Sequence, residues 1–351
     1  MIKKWLPFLF ALFFAAELWA QKRESVQWGA SFTSNGFYNA TDSRANWINI
    51  LQFDASASLW RGASIEGSLI AISNLREQED KGGVATELPI FSAIEDPNTP
   101  LSLFLLSLNQ QVGPFTFSIG PRNVNHDYFG SPCNSVFTSP TTGLFPCLAN
   151  NYPLSDSPLA AMALHGEWRI TPRITLKSSL YNGVASYEWD EVFRFRPHRD
   201  GIVTISELSY EGEGTTYVGH YHGGFLWANS PEPETGLKRE RGTVWTLVEQ
   251  PLYVRDGLQR LELLLHGGYS PDGWCDLYTG AGVVWKGLLS GDDALGLLCT
   301  RSHYEGGDEK TVELTYGYSW RSLTLKPALH RVFSTSGGNH TLLEMSVNYQ
   351  F

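Results

Sequence analysis

The sequence lacks the features of a helical membrane protein, of a disulfide-built scaffold and of the familiar hydrolase motif classes. Beyond residue 20 no stretch reaches the roughly eighteen unbroken apolar residues of a membrane-spanning helix. Mean hydropathy is also slightly negative, at −0.19, so a helical bundle in the bilayer is excluded. A β-barrel is not, because its strands alternate lipid-facing and water-facing side chains and average out as polar. Cysteine is scarce, with 4 in 351 residues, and no CxxC pair or Cys/His zinc spacing is present. A surplus of basic residues is also missing. Lys and Arg number 26 against 36 Asp and Glu, a formal charge of −10, which excludes a nucleic acid partner. G-x-S-x-G, H-E-x-x-H and the P-loop are absent, and no cofactor is expected. A hydrolase that draws Asp, His and Ser from separate strands is the enzymatic alternative.

The first twenty residues stand apart from the rest. Lys3 and Lys4 precede an apolar core over residues 5–16, followed by Glu17-Leu18-Trp19-Ala20 and then the polar run Gln21-Lys22-Arg23-Glu24. This is the pattern of a secretory signal peptide cut after Ala20, leaving residues 21–351 as one domain. The apolar run is well short of the ~20 residues a transmembrane anchor requires.

From Ser25 onward the dominant signal is period-two alternation in runs of about nine to twelve residues, with no helical stretch. Leu51, Phe53, Ala55, Ala57 and Leu59 alternate with Gln52, Asp54, Ser56 and Ser58 before the turn Trp60-Arg61-Gly62. The partner run sets Ala63, Ile65, Gly67, Leu69 and Ala71 against Ser64, Glu66 and Ser68. Short turns recur at Val112-Gly113-Pro114, Thr171-Pro172-Arg173, 211–214, 287–292 and Trp320-Arg321. Longer polar connections lie at 75–98, 124–157, 184–200, 226–242 and 304–309. Alternating long and short connections predict an all-β, transmembrane antiparallel barrel of roughly sixteen strands, wide enough for an aqueous channel.

The last run is the sharpest. Leu343, Met345, Val347, Tyr349 and Phe351 alternate with Glu344, Ser346, Asn348 and Gln350, so one face suits lipid and the other water. A soluble sandwich or lectin is the competing architecture, but its strands are usually shorter. Trp28, Trp47, Trp60, Trp168, Trp274, Trp285, Trp320 and Tyr349 fall at predicted strand ends, where interfacial aromatic belts would place them.

Several stretches resemble the carbohydrate-selective porins of the OprB type. They run from Phe115 through Gly120 to Asn125, then Pro158-Leu159-Ala160-Ala161 to Tyr181-Asn182-Gly183, then Ser206-Glu207-Leu208-Ser209-Tyr210. Tyr221-His222, Glu249-Gln250, Gly268-Tyr269-Ser270-Pro271, Trp285-Lys286-Gly287-Leu288, the segment 311–316 and Gly337-Gly338 follow in the same order. The resemblance implies a sixteen-stranded outer-membrane barrel of a Gram-negative bacterium through which sugars diffuse. It also implies a terminal aromatic, here Phe351, read by the barrel-assembly machinery. Surrounding lipid and lipopolysaccharide are then its neighbours, and the assembly is a monomer or a homotrimer. The sequence departs from the pattern in Gly120-Pro121-Arg122, where the family tends to carry Gly-Lys. It departs again in His165 and Glu167, where lumen arginines are expected, and in Thr335-Ser336-Gly337-Gly338.

Phase selects the lumen side chains, since residues opposite in parity to the lipid-facing set point inward. The candidate substrate contacts are Glu66, Arg122, Glu167, Lys177, Tyr181, His220, His222, Glu262, His266, Tyr278, Glu313 and Lys326, with Glu207 added by the resemblance. His165, Asp276, His330 and Glu344 share that side. Arginine and lysine would donate to sugar hydroxyls, carboxylates would accept, and the tyrosines would offer flat faces to a pyranose ring. A metal held by His220 and His222 lacks a clear third ligand. Cys133 and Cys147 sit in one Pro-rich polar loop, where a disulfide in an oxidising compartment would pin that loop. Cys275 and Cys299 fall on neighbouring strands, bridged or free.

Overall fold

A computed structural model describes residues 26–74, 99–212, 217–231, 236–255 and 259–351; the expected leader and the expected connection at 75–98 lie outside them. The chain forms β1 (Val26–Asn39), β2 (Arg44–Ser58), β3 (Ala63–Asn74), β4 (Thr99–Val112), β5 (Phe115–Arg122), β6 (Ala161–Arg169), β7 (Ile174–Asn182) and β8 (Ile202–Glu211). It continues through β9 (His220–Pro231), β10 (Lys238–Arg255), β11 (Gln259–Tyr269), β12 (Cys275–Lys286), β13 (Asp293–Tyr304), β14 (Gly307–Trp320), β15 (Leu323–Ser334) and β16 (Gly338–Gln350). Each strand pairs antiparallel with its neighbours, and β1 pairs with β16, so the sheet closes into a sixteen-strand barrel. Closure leaves no strand edge unpaired, as a spanning sheet in hydrocarbon requires. None of the described helices is long and apolar enough to cross a membrane.

The terminal run forms a strand with one lipid-facing side, as its alternation predicted, and this strand makes the seam with β1. Phe32 faces Tyr349 and Phe37 faces Glu344 across β1 and β16. The Phe351 backbone N–H then donates to the Ala30 carbonyl at 2.9 Å. Outward positions carry exposed Leu51, Leu108, Leu164, Leu208, Leu265, Leu297, Leu314, Leu329 and Leu343. Aromatics border this band at both ends: Trp28, Trp60, Trp168, Trp285, Trp320 and Tyr349 near the short turns, Trp47, Tyr269, Trp274 and Phe333 near the other end. An apolar belt between two aromatic girdles is the surface a bilayer selects.

Two expected long connections are instead mostly strand. Residues 226–242 largely belong to β9 and β10, whose ladder runs on to Pro231 and Lys238. Residues 304–309 close as a tight turn, with Tyr304 of β13 directly opposite Gly307 of β14. Polar composition misled in both places because these strand ends stand beyond the apolar belt, where outward polar residues cost little. Gly120 matters to the site described below. It has φ +145°, and a Cβ there would stand 2.0 Å from the Leu106 carbonyl, so only glycine lets β5 lie this close to β4.

The outward row supplies a direct test. Leu314→Arg, at the middle of β14, should lower barrel stability in phospholipid bilayers by about 2–4 kcal/mol, read by urea titration of tryptophan fluorescence. Unchanged stability would mean that this face does not meet lipid.

Candidate functional site

The connection between β5 and β6, residues 123–160, turns into the barrel and packs against the inner wall. It begins at a capped single turn, α1 (Val124–Asp127), in which the Asn123 side chain accepts from the Asn125 N–H at 2.8 Å. Two 3-10 turns, Asn134–Val136 and Pro140–Thr142, and a second helical turn, α2 (Pro146–Ala149), carry it across the lumen. The wall it meets is apolar. Val203, Ile205, Leu226, Trp245, Leu247, Leu264, Val284 and Leu298 all point inward and form one buried cluster with the loop's Tyr128, Phe129, Phe145 and Leu148. Phe129 lies 4.5 Å from Trp245 between ring centroids, and Phe145 lies 4.9 Å from Tyr278 and 5.0 Å from His266. Burying each such side chain contributes roughly 1.5–3 kcal/mol.

Polar anchors set the register of the loop. Glu249 accepts from the Cys133 backbone N–H at 2.7 Å and from the Ser131 hydroxyl. Glu313 accepts from the backbone N–H groups of Thr138 and Ser139 at 2.7 and 3.2 Å. His266 Nε2 meets the Asn134 side-chain oxygen at 2.7 Å, and Tyr278 donates to the Thr141 carbonyl at 2.9 Å. His330 stands between Thr138 and Glu344, 3.2 Å from each. Lys326 donates to the Ser135 carbonyl. Carboxylates that receive backbone N–H groups give charge-assisted bonds, roughly twice as strong as neutral ones.

The expected substrate contacts therefore divide into two groups. Glu262, His266, Tyr278, Glu313 and Lys326 are occupied by the loop, and Glu207 is buried with His222 3.3 Å away. His220 is half-buried on β9, directly across from Glu249 of β10 and Glu211 of β8. Glu66, Arg122, Glu167 and Lys177 instead line a polar cavity of about 520 Å³ between the base of the loop and the wall over β2–β7. Tyr181 is buried and lines none of it.

Arg122 and Asp127 form the centre of this second group. The guanidinium makes two bonds to Asp127, at 2.5 and 2.8 Å, and reaches Glu66 at 3.4 Å and the Ser107 hydroxyl at 2.5 Å. Tyr181 donates to the same carboxylate at 3.0 Å, and Lys177 donates to the Asp127 carbonyl at 3.0 Å. Burial works against the charge on Asp127. The hydrogen bonds from Arg122 and His126 and the charge of Arg122 outweigh it and hold the carboxyl well below the usual range. Glu167 stands opposite Lys177, and Lys177 opposite Glu207, so charge alternates across three strands.

The expected Cys133–Cys147 bridge is not formed; both thiols are free and buried. Cys133 is drawn to Glu262 on β11, whereas the Cys147 sulfur lies over Gly268 of the same strand. Six residues of strand separate those points by about 20 Å, too far for a disulfide. Burial and the charge of Glu249 push the Cys133 thiol up, so it remains a donor to Glu262. Cys275 is also free, and Asn151 joins it to the loop by bonding the carbonyls of both Cys147 and Cys275, at 2.7 and 2.8 Å. Cys299 is free and exposed on the outer face of β13. Cys133, Glu249 and Glu262 bring ligand atoms within 4.8 Å of one another. Arg260 at 2.7 Å and Lys286 at 3.5 Å pair with Glu262, whereas one Glu249 carboxylate oxygen is buried without a hydrogen-bond partner.

Asp127, Glu249, Trp245 and Asn151 complete the site and were not among the expected contacts. For Trp245 and Glu249 the sequence holds a signal: β10 is apolar on both faces, with Val244 and Val248 outward and Trp245 and Leu247 inward. A strand with two apolar faces needs a cover on each side. The thiol assignment is open to direct test. Protein purified without reductant and alkylated after unfolding should yield Cys133 fully labelled and no Cys133–Cys147 linked peptide by mass spectrometry. Recovery of that linked peptide would overturn this placement of the loop.

No protein-family model matches the chain, and no curated protein sequence matches it. Solved structures do. The high-pH structure of OprB from Pseudomonas putida superposes with a TM-score of 0.78 at 15% identity, over 93% of this chain and 94% of that one. The low-pH structure of the same protein gives 0.61 at 15% identity, over 93% of each chain. The anion-selective porin from Comamonas acidovorans gives 0.58 at 10% identity, over 93% of this chain and 99% of that one. At these identities the likeness is one of fold, and the chain has the closed β-barrel fold that OprB and other porins share.

Proposed function

We propose that the chain is an outer-membrane porin that lets small carbohydrates, monosaccharides or short oligosaccharides, diffuse into a Gram-negative cell without chemistry or a cofactor. The observation that carries this reading is the cavity over β2–β7, in which Glu66 and Glu167 offer acceptors beside the donors Arg122 and Lys177. A sugar hydroxyl needs both kinds of partner at once. The Arg122 fork is engaged by Asp127 and Glu66, so it presents only part of its capacity to a solute. Weak, distributed contacts of this kind allow a solute to leave as readily as it enters. The loop covers much of the inner face of β8–β15, and a path confined to the remaining side would favour short sugars over long ones.

The acidic balance of the cavity supports a second reading, a porin preferring small cations. Glu66, Asp127 and Glu167 face it together with Arg122 and Lys177. Liposome swelling against a size series of neutral sugars distinguishes the two, with fast entry of monosaccharides and a steep decline with length expected for a sugar pathway. No swelling with any sugar would refute that pathway. Replacing Glu66→Gln and Glu167→Gln together should move the reversal potential in planar bilayers toward anions. An unmoved potential would place the conducting path elsewhere.

A further inference from the structure

The outward wall of β13–β15 changes character toward the end opposite the short turns. Register sets Leu297 beside Leu314, Leu314 beside Leu329 and Leu329 beside Leu343, a continuous exposed leucine row. The next outward row holds Cys299, Val312, Arg331 and Thr341, and the one beyond it Arg301, Lys310 and Phe333. Arg301, Lys310 and Arg331 are exposed. They rise within two outward positions, about 14 Å along the strands, of side chains that suit hydrocarbon.

Their arrangement is costly unless an anion joins it. Arg301 and Lys310 are direct cross-strand partners, and like charges placed so are destabilising. Arg301 has one acid, Asp308, at 3.0 Å. Lys310 makes no ion pair among the described residues. Arg331 lies over the Phe333 ring at 5.3 Å and donates to Thr341, again with no carboxylate. Three cations against one carboxylate leave positive charge where the wall passes from the leucine row to the barrel rim.

We propose that Arg301, Lys310 and Arg331 bind the phosphorylated headgroup of an outer-leaflet lipid, a multiply acylated lipid bearing more than one phosphate, as in lipopolysaccharide. The acyl chains lie on the row Leu297, Leu314, Leu329 and Leu343, and Phe333 stands at their upper end. The phosphates bridge Arg301 and Lys310 and reach Arg331, removing the repulsion between the paired cations. Asp308 holds one Arg301 edge, so the phosphate meets the other. The inference rests on the outer-membrane reading, because it requires this end of the barrel to face the outer leaflet.

The test uses full-length protein in non-ionic detergent, with native mass spectrometry of added bis-phosphorylated lipid A, its dephosphorylated form and inorganic phosphate. Wild-type protein should retain the bis-phosphorylated lipid and not the dephosphorylated one, with inorganic phosphate a poor competitor. Arg301→Gln, Lys310→Gln and Arg331→Gln together should weaken retention by on the order of tenfold or more. Arg301→Lys with Arg331→Lys, which keeps the charge, should retain it, and this pair with Lys310→Gln alone carries the test should the triple variant fold poorly. Equal retention by wild type and the charge-removed variants, equal retention of the dephosphorylated lipid, or loss of a protein oligomer in place of lipid would overturn the site. Sugar-driven swelling of the same variants in uncharged liposomes should match wild type. Swelling that fails in wild type would count against the sugar pathway and leave the lipid result standing on its own.

Discussion

Burial of residues 123–160 against the inner face of β8–β15 is the constraint on which the interior depends. A barrel of sixteen strands is wide enough to hold water throughout. This one presents Ile205, Leu226, Trp245, Leu247, Leu264 and Leu298 to its own lumen, and such a surface must be covered. Tyr128, Phe129, Phe145 and Leu148 cover it. Once the apolar contact is made, the polar groups around it have little choice. Glu249, Glu262 and Glu313 lose their water and must find donors, which the loop's backbone and the Cys133 thiol supply.

The same packing determines what is left open. One side of the lumen is closed by apolar contact, and solvent-lined space persists where the wall is polar, over β2–β7. The Arg122–Asp127 pair stands at the boundary between the two regions. It fixes the start of the loop and also forms part of the cavity lining, so the pair that anchors the loop shapes the cavity beside it. Of the charges that phase alone would leave facing a wide pore, Glu249, Glu262, Glu313 and Lys326 are engaged by the loop, and Glu66, Arg122, Glu167 and Lys177 line the cavity that remains.

Much of the barrel was legible because outward side chains answer to a single demand, contact with lipid. Period-two alternation gave the strands, and the terminal run from Leu343 to Phe351 gave the seam strand. Inward side chains answer to two demands, water or a covering loop, and parity cannot separate them. Glu313 and Glu167 therefore looked equivalent, although one holds backbone N–H groups and the other faces the cavity. The disulfide expectation failed for a related reason. Nearness of Cys133 and Cys147 in sequence says nothing of where the wall draws each of them, and β11 receives them at Glu262 and Gly268. The strand ends near 226–242 and 304–309 were misread because polar outward residues beyond the belt have the composition of loops.

The central claim is that, among the described residues, it is the inward loop at 123–160 that confines the open space to one side of the barrel. Single-channel conductance of a variant in which residues 130–154 are replaced by a short Gly/Ser linker tests it most directly. The account predicts a conductance several-fold above wild type, with longer sugars admitted in the same variant. Conductance and size limit unchanged from wild type would contradict it.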